Sequence, residues 1–170
     1  TAYGPVRPLV GVLFTDTVGD NRATFSNPDG STASGNPSRS AEVLAGAEFA
    51  LAANGLRLRL AAGLQASNLS SGGGHERFTR VPLEATLMYP VGEQLRVGGG
   101  LRYAARLRFG GAGGGTSDQL NATPGVIGAV DYRLSPHLLA DFRYVYERYE
   151  VSGSGDYEAS HWGVGLTAMY

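Results

Sequence analysis

The chain contains no cysteine, so disulfides, thiolate metal sites and thiol nucleophiles are all excluded. It contains no lysine either, and its 14 basic residues are all arginine. No apolar run reaches the roughly 18 residues that a transmembrane helix needs. An excess of one charge sign is missing too. The net charge of −1 gives the whole molecule no field that would draw a nucleic acid. The first residues show no signal-peptide pattern, so a secreted chain is expected here in its mature form, with the signal removed. At 170 residues, one domain is expected, or two small ones at most.

What the sequence does contain is alternation. Over 95–109, Leu95, Val97, Gly99, Leu101, Tyr103, Ala105, Leu107 and Phe109 lie at every second position, and Arg96, Arg102, Arg106 and Arg108 fall between them. A period of two places the two sets on opposite faces of a strand. Eight such stretches lie near 8–16, 41–52, 56–67, 79–89, 95–108, 124–134, 138–149 and 159–170. The first is irregular, with Leu9 and Leu13 opposite Val10, Val12 and Phe14. In the fourth, Pro82 cannot donate to a closed ladder, which predicts a bulge there.

Connections alternate in length. Short turns carrying Asn, Gly or Pro sit at Ala53–Gly55, Pro90–Gln94 and Ser135–His137. Longer polar segments near 17–40, 68–78, 109–123 and 150–158 lie between them. Tight turns at one end and extended loops at the other are the asymmetry of outer-membrane barrels, in which an even strand count leaves both termini periplasmic. The predicted fold is therefore an all-β, eight-stranded, antiparallel up-and-down transmembrane barrel in a single domain.

Cost decides which face meets lipid. An arginine on the lipid face at mid-bilayer costs roughly 2–4 kcal/mol. The arginines between the apolar positions would together exceed the roughly 5–15 kcal/mol that holds a domain folded. The apolar face must point outward and the charged face inward. Phe14, Phe109, Tyr146 and Trp162 fall towards loop ends, and Tyr89, Tyr132 and Tyr170 towards turn ends, as two interfacial girdles would.

Several segments resemble the small OmpA/OmpX-type outer-membrane barrels. They are the opening Arg7-Pro8-Leu9-Val10-Gly11, Tyr89-Pro90 before a short turn, and the ending Trp162-Gly163-Val164-Gly165-Leu166-Thr167-Ala168-Met169-Tyr170. The resemblance spans essentially the whole chain and implies a free-standing barrel of a Gram-negative-type envelope, without the peptidoglycan-binding domain of larger OmpA proteins. It also implies that Leu166, Ala168 and Tyr170 form the signal read by the barrel-insertion machinery. The expected partners are that machinery and outer-membrane lipids, with no nucleic acid and no cofactor; a monomer is expected.

Inward positions collect the acids Glu42, Glu48, Glu84, Asp131, Asp141 and Glu147. Alongside them come Arg57, Arg59, Arg80, Arg96, Arg102, Arg106, Arg108, Arg133 and Arg143. Nine bases against six acids read either as an anion-preferring pore or as a salt-bridged core. An eight-stranded barrel is only just wide enough for its side chains to fill it, which favours the core. Inward glycines at 46, 63, 98, 100, 163 and 165 are expected to make room for the guanidinium groups. The predicted role is structural, with display of the surface loops; the alternative is a narrow channel for ions or small solutes.

Other chemistries fare worse. A lipid-modifying enzyme needs Ser, His and an acid together on the lipid-facing surface. Ser160 and His161 beside Glu158 fall on opposite faces by parity, while His75 lies in a loop and His137 in a turn, so no enzyme is expected. Asp16, Asp20 and Asp29, with Asn21 and Asn27, are oxygen donors of the type Ca²⁺ takes, but their spacing is not that of an EF-hand and suits turns better. The glycine runs 72–74 and 110–115 lack the Lys-Ser/Thr of a phosphate cradle and read as flexible loop tips. A soluble ligand-binding barrel would need the reverse polarity, with apolar side chains inside.

Overall fold

The computed structural model describes residues 6–17, 23–26, 32–35, 40–71, 74–110, 121–122, 124–151, 155–158 and 160–170, with side chains for 6–16, 40–66, 79–104, 124–148 and 160–170. The described elements are all strands: β1 (Val6–Thr17), β2 (Ala23–Ser26), β3 (Thr32–Gly35), β4 (Ser40–Ala50), β5 (Arg57–Ser71), β6 (Gly74–Pro90) and β7 (Leu95–Gly110). They continue with β8 (Asn121–Ala122), β9 (Gly125–Ser135), β10 (Leu138–Tyr146), β11 (Arg148–Val151), β12 (Gly155–Glu158) and β13 (His161–Met169).

Eight of these make the wall, in the order β1-β4-β5-β6-β7-β9-β10-β13, each antiparallel to its neighbours. β1 then pairs with β13 from Leu9↔Met169 to Thr17↔His161, which closes the ring and leaves the wall without an edge. The alternation turns directly into two surfaces. Along β9 and β13, buried and exposed residues take turns over most of the length. Leu60, Leu83, Leu101, Val126, Phe142 and Leu166 stand on the outside, Leu101 at 60 % exposure.

The three turns stay tight. Leu51 donates to the Leu56 carbonyl at 2.9 Å and Gly55 to that of Ala52 at 3.2 Å. Gly55 has φ +88°, a conformation that disfavours any side chain. At the opposite end the strands outrun the wall. Residues 68–78, read as a loop, are mostly strand, because pairing continues from Ser67↔Phe78 to Ser71↔Gly74. The β2–β3 hairpin adds to β5 through Ala33↔Ser71 and Ser34↔Ser70, and β8, β11 and β12 form a separate small sheet.

The bulge expected at Pro82 is present. Arg80 pairs with Leu107 while Pro82 pairs with Ala104, so two steps along β6 match three along β7. The spare residue lies in β7, where Ala105 and Arg106 together oppose Val81. Beyond it the phase of β7 changes. Arg108 shares a rung with Thr79 and Leu107 with the lumen residue Arg80. The lumen assignment of Arg106 and Arg108 assumed unbroken alternation over 95–109, and the register corrects it. Their side chains lie outside the described residues, as does that of Phe109.

Candidate functional site: a charge-paired lumen

Each lumen group is aimed inward because its strand neighbours on both sides are apolar and turned outward. Glu48 and Arg59 share a rung, as do Glu84 and Arg102, and Arg96 and Asp131. Directly opposed residues lie on the same face of the sheet, so these rungs preassemble charge pairs. Longer pairs then cross the lumen.

Near the turn end, Arg59 reaches Asp131 Oδ2 at 2.5 Å, Asp141 Oδ2 at 3.2 Å and Glu48 Oε2 at 3.4 Å. Arg96 grips Glu48 at 2.8 Å and Asp131 at 2.6 Å, and Arg57 lies 3.6 Å from Glu48. Towards the loops, Arg102 donates to both oxygens of Glu42 at 3.0 Å, to Glu84 at 2.5 Å and to Gln65 at 2.7 Å. Arg102 Nε also stands 2.7 Å from Glu147, and Arg80 reaches that carboxylate at 3.1 Å. Arg143 joins Glu84 at 2.7 Å to Asp141 at 3.1 Å. Asp141 therefore links the two groups, holding Arg59 on one side and Arg143 on the other.

Six acids, Glu42, Glu48, Glu84, Asp131, Asp141 and Glu147, thus meet six arginines, Arg57, Arg59, Arg80, Arg96, Arg102 and Arg143. The expected surplus of three positive charges is absent from this described network. Arg106 and Arg108 belong to the shifted part of β7, and Arg133 is only half-buried at the turn end. Removing two charges from water costs several kcal/mol per ion, and only such multiple contacts repay it.

Sequence reasoning missed the uncharged part of the core. Gln65 accepts from Arg80 and Arg102 and donates to Thr15 at 3.1 Å and Ser40 at 2.5 Å. Buried Leu9, Leu139 and Met169 pack together near the turn end, and Arg96 directs a guanidinium nitrogen to Met169 Sδ at 3.9 Å. Met88, Ile127, Ala129 and Val145 form a second apolar cluster. The odd parity of Leu9 and Leu13 was the available signal: both point inward and are buried. Arg7, also buried, donates to the Pro136 carbonyl at 2.8 Å.

The inward glycines do something other than expected. A Cβ on Gly46, Gly100 or Gly165 would stand 2.0–2.1 Å from a carbonyl oxygen of the neighbouring strand. Backbone, not guanidinium, occupies that space; only at Gly163 is an arginine, Arg143, among the nearest atoms. Ser160 also departs from its parity. It precedes β13, where period two does not yet apply, and it is buried like His161 rather than turned to the outer surface. Neither side chain is therefore on the lipid-facing side, where the enzymatic arrangement would need both. His137 sits in a turn, its Nδ1 3.0 Å from the Met169 carbonyl; His75 and Glu158 have side chains outside the described set.

Asp16 is half-buried on the rung of Trp162. Asp20 and Asp29 lie outside the described residues, as do Asn21, Asn27 and most of the two glycine runs. Among the described residues, no group of three or more His, Asp or Glu is placed to hold a metal. Outside, Phe14, Tyr146 and Trp162 ring the loop end, and Tyr89, Tyr132 and Tyr170 the turn end. Tyr132 donates its hydroxyl to Gln94 at 2.7 Å. Leu166 and Tyr170 are exposed and Ala168 is half-exposed, all on one face of the end of the chain.

A closed antiparallel ring of eight strands, apolar outside and charged inside, with tight turns at one end only, settles the architecture. This is the fold of the small OmpA/OmpX-type outer-membrane barrels. Ail of Yersinia pestis superposes on the chain with TM-score 0.58 at 11% identity, covering 97% of each chain. Neisserial surface protein A gives 0.55 at 15% identity over 98% of each. The outer-membrane protein AlkL, in lipid bilayers, gives 0.50 at 13% identity, covering all of this chain and 92% of its own. No protein-family model and no curated protein sequence matches the chain.

Proposed function

We propose that the chain is an integral protein of a bacterial outer membrane, with its termini and short turns periplasmic and its strand-built loops at the cell surface. Its role is structural. It holds a rigid, plugged cylinder in the lipid and displays the segments above β5–β6 and around β11–β12. Outer-membrane lipids surround it as a monomer, and the insertion machinery reads Leu166, Ala168 and Tyr170.

One observation carries this reading: arginines on β5, β7 and β10 bind carboxylates on other walls, Arg59 to Asp141, Arg102 to Glu42 and Arg143 to Glu84. Such crossings, together with the apolar clusters below and between them, leave the lumen filled rather than open. The test is planar-bilayer recording of the refolded protein, where insertion without discrete conductance is expected. Reproducible conductance steps whose ion preference reverses in Arg102→Glu would establish the anion-preferring channel instead.

A further inference from the structure

The bulge in β7 has an effect on the outside of the barrel. It moves Arg108 onto the rung of Thr79, an outer-face position, and sets Arg106 opposite Val81, also on that face. Both rungs lie beyond Tyr103, towards the loops. A third arginine reaches the same height on the next part of the wall. Arg148 is exposed, two residues past Tyr146, with its guanidinium carbon 5.3 Å from the centre of that ring, while the intervening Glu147 is buried.

The turn end has no counterpart. Its outer-face strand residues include Val6, Leu58, Tyr89, Leu95, Tyr132 and Tyr170, and none of those described is charged. The arginines near that end, Arg7, Arg57, Arg59, Arg96 and Arg133, sit on inward-facing rungs. Basic groups just beyond an aromatic girdle, at one end only, lie at the depth of the headgroups of one leaflet. A guanidinium fork matches a phosphate in charge and geometry.

We infer that Arg106, Arg108 and Arg148 form a phosphate-binding belt for lipids of the outer leaflet, taking phosphomonoester headgroups whose acyl chains lie against the apolar wall below. Glu158, opposite Arg148 in the β11–β12 ladder, is the acid with which the lipid competes. An exposed ion pair is worth at most about 1 kcal/mol, and a phosphomonoester carrying up to two negative charges displaces it.

This rests on the membrane reading above, and the experiment separates the two. The full chain is refolded into phosphatidylcholine vesicles containing brominated phosphatidylcholine. Quenching of Trp162, the only tryptophan, reports insertion; an unquenched Trp162 overturns the membrane reading itself. Protein extracted from mixed vesicles is then weighed by native mass spectrometry to compare retained phosphatidic acid with retained phosphatidylcholine. The wild type is expected to favour phosphatidic acid, and each of Arg106→Gln, Arg108→Gln and Arg148→Gln to lower the preference about five-fold. Glu158→Gln is expected to raise it. Quenched wild-type protein that retains both lipids equally, or a triple glutamine variant that inserts and keeps its preference, would overturn the belt. Loss of the preference on adding inorganic phosphate would show a site for free anion rather than lipid and also overturn it.

Discussion

Arg59 and Asp141 meet across the lumen at 3.2 Å although 82 residues separate them in the chain. Asp141 also accepts from Arg143 and, at 3.4 Å, from Thr167. Its removal strands two buried arginines. Asp141→Ala is expected to cost about 3–5 kcal/mol in denaturant unfolding from detergent micelles. Asp141→Asn keeps the shape but removes the charge, and should recover only part of that loss.

Arg102 holds the middle of the plug through Glu42, Glu84, Gln65 and Glu147. Arg102→Ala deletes the side chain that bridges these walls and leaves Glu42 with no other printed arginine contact. Bilayer recordings of this variant should show leak currents that the wild type lacks. A silent Arg102→Ala would mean that the apolar clusters alone seal the barrel.

Glycines in the wall are expected to divide sharply by position. A Cβ on Gly100 would lie 2.0 Å from the Ala85 carbonyl oxygen, whereas one on Gly128 meets nothing within 4 Å. Gly100→Ala should therefore destabilise by about 1–3 kcal/mol or more through overpacking. Gly128→Ala should be close to neutral in the same unfolding assay.

Leu101 lies on the outer face, and Gly92 lies in a turn with open space around it. Leu101→Arg should cost roughly 2–4 kcal/mol and lower the yield of heat-resistant folded barrel on gels. Gly92→Arg should refold like the wild type. Equal refolding of the two would show that the outer face does not meet lipid.

The sequence speaks clearly where each residue answers to one constraint. Along β5, Arg59 and Leu60 face opposite solvents, and period two alone separates them. It fails where a second constraint enters. Pro82 signals a bulge, but the spare residue falls in the partner strand, which displaces Arg106 and Arg108 from their parity. Gln65 looks like one more polar lumen residue, and only distances show it joining two arginines to Thr15 and Ser40. Cross-lumen partners such as Arg143 and Glu84 depend on barrel closure and have no local signature. Residues 68–78 read as a loop because Gly, Ser and Asn dominate them, yet they pair as strands.

Closure by β1 and β13 gives the structure an order in time. Until the ring shuts, the inner face is an open trough in which every arginine and carboxylate keeps its water. Joining Leu9 to Met169 and Thr17 to His161 dehydrates them together. The charge network therefore forms in one final step, and leaving the native state means rehydrating all of it at once. This is a barrier to escape as much as a source of stability.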